Sequence, residues 1–214
     1  MHGKSGVGKS EALLRFVQET PKALLHTVVC AEAKPFTLAG RLMRLLDIGE
    51  PNSRDLPSAR EKITEAIGPE GMLILDEAQS LVYQNPRGGA NYETFSWIQA
   101  LVTEGCISVV LCGELKLADA VATLPGLNRR LTRPVIIRKV PKGDVETVAA
   151  HDGVTDRKAV DELYSVARRH GALGDVRNVL DEARLFAGGG PIELAHIMAA
   201  IEDLKLQAMG RERS

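Results

Sequence analysis

Two hydrophobic rhythms alternate along the first two thirds of the chain. Short, nearly unbroken apolar runs occur at Ala23–Cys30, Met72–Asp76, Ile107–Gly113 and Val135–Lys139, the pattern of strands covered on both faces. Between them, apolar residues recur at helical spacing. Leu13, Leu14 and Val17 do so in Ser10–Glu19, and Leu38, Leu42, Leu45 and Leu46 in Thr37–Leu46. Ile63 and Ile67 follow in Ser58–Ile67, then Phe95, Ile98, Leu101 and Val102 in Tyr92–Glu104. This alternation predicts a three-layer α/β domain around a mainly parallel sheet. Past Pro141 the strand-like runs stop. Lys142–His151, Asp156–His170, Asp175–Ala187 and Pro191–Gln207 read as helices. Gly153, Gly171-Ala172 and Gly188-Gly189-Gly190 punctuate them, and Pro191 suits a first helical position. The expected division is an α/β core over residues 1–140 and a small helical domain over 141–210, with Gly210–Ser214 a frayed tail.

The chemistry starts almost at the first residue. Gly3-Lys4-Ser5-Gly6-Val7-Gly8-Lys9-Ser10 has a Gly, four free positions, then Gly-Lys-Ser. The glycines let consecutive N–H groups converge on a phosphate, and the helix that follows adds its positive end. Lys9 would reach the β- and γ-phosphates of ATP, and the Ser10 hydroxyl would take a Mg²⁺ position. Such a loop normally runs from a strand into a helix, yet only Met1 and His2 precede Gly3. The expectation is therefore a core lacking its first strand, as in an N-terminally truncated chain.

Met72-Leu73-Ile74-Leu75-Asp76-Glu77 is the second signal. An apolar strand ending in two acids supplies what a phosphate loop needs next. Asp76 would hold Mg²⁺ and Glu77 would polarise the attacking water. The run Asp76-Glu77-Ala78-Gln79 resembles that of transposition ATPases in the AAA+ group, where Gln79 would couple the acid to DNA or to a neighbouring subunit. At the end of the next strand, where that group places a polar sensor of the γ-phosphate, Glu114 is the nearest candidate, and an acid departs from the pattern. In the AAA+ group that these motifs resemble, an arginine near this point reaches the nucleotide of a neighbouring subunit; the resemblance implies Arg133 first and Arg130 second, and a guanidinium suits charge developing on a phosphoryl group. No acid interrupts Leu127–Gly143, so this stretch could instead face DNA phosphates. Gly174-Asp175-Val176-Arg177 resembles the second sensor of AAA+ ATPases, with Arg177 reporting the γ-phosphate.

Composition narrows the classes. A net charge of −1 over 214 residues excludes an overall polycation, though not a local basic face. No stretch is long and apolar enough to span a bilayer, and no secretory signal opens the chain. Cys30, Cys106 and Cys112 lie in or beside apolar runs, which predicts buried thiols and a cytoplasmic setting without metal spacing. Trp97 is expected to pack rather than stack on a base, and the glycine-rich loop Gln84–Asn91 reads as a connector or a DNA or partner contact.

With these motifs in order, nearly the whole chain resembles the phage Mu B-type transposition proteins. The more specific part is the last third, through Lys142-Gly143-Asp144-Val145, Arg168-Arg169-His170-Gly171-Ala172-Leu173 and His196-Ile197-Met198-Ala199-Ala200. The resemblance implies a P-loop NTPase (AAA+) sheet followed by a helical domain. It implies use of ATP and Mg²⁺, and assembly into an oligomer or filament on double-stranded DNA with little sequence preference. It also implies delivery of that DNA to a transposase. Two alternatives stand beside it: another DNA-associated AAA+ ATPase of the initiator or helicase-loader type, and an inactive relic acting only as a binding module.

Overall fold

The computed structural model describes residues 1–84, 90–169 and 171–206. Asn85–Gly89 of the glycine-rich loop, His170 and the tail from Gln207 lie outside them. The chain forms two compact units, Met1–His2 with Lys9–Ile136, and Gly3–Gly8 with the chain from Ile137 on. The elements as far as Ile137 follow in the order β1 (His2–Gly3), α1 (Lys9–Glu19), β2 (Ala23–Thr27), α2 (Pro35–Leu45), α3 (Leu56–Ile67), β3 (Met72–Asp76), β4 (Tyr83–Gln84), β5 (Ala90–Asn91), α4 (Glu93–Gly105), β6 (Ser108–Leu111), α5 (Leu115–Ala122), α6 (Pro125–Asn128) and β7 (Ile136–Ile137).

β3 is the central strand of a parallel sheet, with β2 on one side and β6 on the other; Thr27 pairs with Asp76 and Leu75 with Leu111. β1 pairs with β7, and His2 bridges to Gly113 just past β6. The spatial order is thus β7-β1-β6-β3-β2. The Met1 ammonium donates to the Leu111 carbonyl at 2.8 Å, and the Gly113 N–H donates to the Met1 carbonyl at 3.2 Å. His2 stands where the sequence pattern calls for a whole strand. Beside it a cavity of about 320 Å³ follows the open side of β6, between Val109–Leu111 and residues 130–134.

Alternation along β3 places its side chains in two cores. Leu73 and Leu75 pack with Leu38, Leu42, Ile63, Phe95, Ile98 and Leu101 from α2, α3 and α4. Ile74 points to the other face, against Leu13 of α1 and Cys112. Burying each such side chain contributes roughly 1.5–3 kcal/mol. Trp97 joins the first core, as expected.

Several boundaries differ from the sequence reading. β2 stops at Thr27 because Glu32 folds back beneath it, accepting the Val29 N–H at 3.2 Å and meeting His26 Nε2 at 2.6 Å. Cys30 therefore lies on an exposed turn and Cys106 on the exposed end of α4, so only Cys112 is buried. β7 has two residues instead of five because its partner β1 has only two to offer. Residues 115–122 and 125–128, to which periodicity assigned no element, are α5 and α6.

Four helices follow in the second unit: α7 (Lys142–His151), α8 (Arg157–Arg169), α9 (Ala172–Phe186) and α10 (Leu194–Asp203). Val145, Leu163, Val176, Leu180 and Ile197 meet in its core, all fully buried. The Asp156 carboxylate caps α8 by accepting the Ala159 N–H at 2.9 Å. Pro191 does not begin the last helix. The reversal runs through Gly188 and Gly189, both at positive φ, and the Glu193 N–H donates to His196 Nδ1 at 3.1 Å, which sets the start at Leu194.

Candidate functional site

The loop Gly3–Gly8 turns through Gly6 (φ 76°) and Gly8 (φ 88°), conformations open to glycine and strained for other residues. Lys4 and Ser5 are exposed, while Val7 is buried in the helical core. The loop is packed onto the start of α9. The Gly6 carbonyl accepts the Gly174 N–H at 2.9 Å, and a Cβ at Gly6 would lie 1.9 Å from the Gly171 carbonyl oxygen. Sequence reasoning singled out Gly174 only as a neighbour of Arg177; its backbone contact with the loop carries no sequence signal.

Lys9 opens α1 and is 5% exposed. The Ser10 hydroxyl donates to Asp76 Oδ2 at 2.5 Å, across 66 residues of sequence. Asp76 ends β3, is 2% exposed, and accepts the Glu77 N–H at 3.0 Å through its other oxygen. Cys112 lies beside it. Burial first, and then the hydrogen bond and charge of Asp76, push the thiol up to about 12. A hydroxyl and a buried carboxylate are hard oxygen donors. They fit Mg²⁺, which takes one or two protein ligands and fills its remaining positions with water and phosphate oxygens. Among the described residues, no group of three or more His, Cys, Asp or Glu is arranged to hold a metal.

Glu77 has left-handed backbone (φ 54°), uncommon for a residue with a side chain, where β3 ends and the turn Ala78–Leu81 begins. Gln79 Nε2 donates to Glu77 Oε2, and Gln79 Oε1 accepts the Glu114 N–H at 3.0 Å. Gln79 thus joins the acid to the residue after β6. Glu114 enters this arrangement through its backbone and serves as the N-cap residue of α5.

Arg133 and Arg130 are exposed and line the cavity beside β6, and Arg130 Nη1 donates to the Gly126 carbonyl at 3.3 Å. Arg177 pairs with Asp152 at 3.0 Å and with Asp181 at 3.1 Å. The Asp152 side chain is 1% exposed and also pairs with Arg184. Asp152 and Arg184 follow no motif, so nothing in the sequence marks the cluster.

The family model of the AAA domain matches residues 1–121, and that of the Mu B transposition protein, C terminal, matches residues 129–204. The Mu-like prophage FluMu DNA transposition protein B of Haemophilus influenzae is 25% identical over 181 residues, 81% of this chain and 60% of that protein. The ATP-dependent target DNA activator B of Escherichia phage Mu is 25% identical over 196 residues, 87% of this chain and 59% of that protein. The chain thus spans about three fifths of the length of these relatives. Among solved structures, the Aeropyrum pernix ORC1 protein in complex with DNA matches with TM-score 0.63 at 17% identity, covering 95% of this chain and 58% of that one. The ADP form of the Aeropyrum pernix ORC2 protein matches with TM-score 0.64 at 13% identity, covering 94% and 61%. At these identities the likeness is one of fold. The resemblance drawn from the motifs therefore holds in both parts of the chain.

Proposed function

Since the chain belongs to the AAA domain family, we propose that it is an ATPase that assembles on double-stranded DNA and delivers it to a transposase. The observation that carries the reading is the Ser10 hydroxyl on the Asp76 carboxylate. Two residues far apart in sequence, each predicted for Mg²⁺, meet at hydrogen-bond distance. In this reading Gly3–Gly8 wraps the phosphates with backbone N–H groups and Lys9 binds their charge. Bound Mg²⁺, held by Ser10 and Asp76, would neutralise charge on the β- and γ-phosphates. Glu77 takes up the proton of the attacking water. Arg133 or Arg130 of a neighbouring subunit stabilises the transferring phosphoryl group, so turnover requires assembly. Arg177 acts as second sensor on leaving Asp152, which keeps Arg184 as partner. The names of the two phage-type relatives, an ATP-dependent target DNA activator and a DNA transposition protein, support the DNA-delivery part.

The test is ATP–Mg²⁺ binding by this chain, with Lys9→Ala as control, repeated with double-stranded DNA. Binding lost in Lys9→Ala and DNA association that depends on ATP are the expected results. Glu77→Gln should bind ATP and trap the assembly on DNA without turnover. A folded chain that binds no ATP would instead make it a binding module.

A further inference from the structure

We infer that Gln79 is the positioning residue for Glu77, tying it to the end of β6; this rests on the reading of Glu77 as the group that polarises water. The Gln79 amide sits between two partners that fix its orientation. Its Oε1 accepts the Glu114 N–H, and a backbone N–H can only donate. The NH₂ group must then face Glu77, where Nε2 donates to Oε2. Glu77 therefore meets a donor, the partner that suits a carboxylate, and keeps Oε1 for the water. The main chain holds the acid from the other side, since the Glu77 N–H donates to Asp76 Oδ1.

The far end of this tether is anchored. Glu114 leads into α5, and the Ala78 N–H donates to the Cys112 carbonyl at 2.8 Å, so the turn carrying Gln79 is tied to the same strand end. Gly113 makes the room. A Cβ there would lie 2.1 Å from Gln79 Oε1, with the next atoms at 3.3 Å. A methyl at 113 would therefore displace the end of a flexible side chain and leave the backbone in place. Without Gln79, Glu77 would sit on a strained φ and its carboxylate would lose the donor that orients it.

The tether is tested in the full chain by ATP turnover and ATP affinity for Gln79→Ala, the isosteric Gln79→Glu, Gly113→Ala and the double variant Gln79→Ala with Gly113→Ala. Exchange of the Glu114 amide is followed by NMR without nucleotide. Each single variant should lower kcat about tenfold or more, the order carried by hydrogen-bond partners that orient reactive groups. ATP affinity should stay within about twofold, because ground-state binding is untouched. Gly113→Ala should add nothing to Gln79→Ala, since the atom it displaces is gone. The Glu114 amide should exchange faster in Gln79→Ala and Gly113→Ala, and stay protected in Gln79→Glu, which keeps an acceptor there. Unchanged kcat in Gln79→Ala, additive losses in the double variant, or equal exchange at Glu114 would each overturn the inference. If the parent chain turns over no ATP, the ATPase reading fails, and exchange at Glu114 still decides the tether.

Discussion

Cys112 shows how a residue with no motif of its own is shaped by a motif it touches. Its thiol packs against Ile74 and Leu13 and lies beside Asp76, so a thiolate there would be both desolvated and repelled. Below its ordinary value of 9.0 the thiol is protonated in folded and unfolded chains alike, and its contribution to stability is complete. As pH rises from 9.0 toward about 12, the unfolded chain ionises first, so stability falls through that window. Unfolding midpoints at about pH 8 and about pH 10.5 measure this, and Cys112→Ala should lose less between the two than the parent chain. The sequence placed Cys112 in an apolar strand and could not place it against Asp76, because the two meet across strands. For Cys30 and Cys106 the same apolar context misled: a fold-back at Glu32 and the end of α4 put both in solvent.

Among elements, the instructive contact is between a loop and a helix. Gly3–Gly8 is legible as a glycine-rich turn from its residues alone, and α9 as a helix from its period. That the Gly6 carbonyl is bonded to Gly174 is legible from neither. Gly6→Ala should be severe for two reasons. A left-handed residue with a side chain costs about 1–2 kcal/mol, and its Cβ would lie 1.9 Å from a backbone oxygen that has no rotamer to yield. We expect a lowered melting temperature together with faster exchange of the Gly174 amide. A chain that tolerates Gly6→Ala with that amide still protected would show that the loop does not need this seat. α5 and α6 escaped the sequence reading although Leu117, Ala120 and Val121 are buried at helical spacing. Each is short, and their place is set by the core that Leu117, Ala120, Val121 and Leu127 join.

On the scale of the molecule, charge is near balance while one stretch is not. Leu127–Gly143 carries Arg129, Arg130, Arg133, Arg138, Lys139 and Lys142 without an acid, and all but Lys142 are exposed. If about five of these meet DNA phosphates, raising salt from about 50 to about 200 mM should weaken DNA binding roughly 500-fold, and Arg138→Ala should reduce the salt slope by about one contact. A slope near zero would place DNA elsewhere. The sequence by itself determined the α/β alternation, the helical last third, the glycine-rich turn ahead of α1 and the position of the acid pair Asp76-Glu77 at the end of an apolar strand. These follow from local periodicity and from backbone needs that particular residue types meet. Only the tertiary structure decided that Ser10 meets Asp76, that Gln79 bridges Glu77 to Glu114, that Asp152 holds Arg177, and that His2 bridges to Gly113 beside β6. Those contacts join residues distant in the chain, and periodicity, which reports only which face of an element is buried, says nothing of what that face will meet.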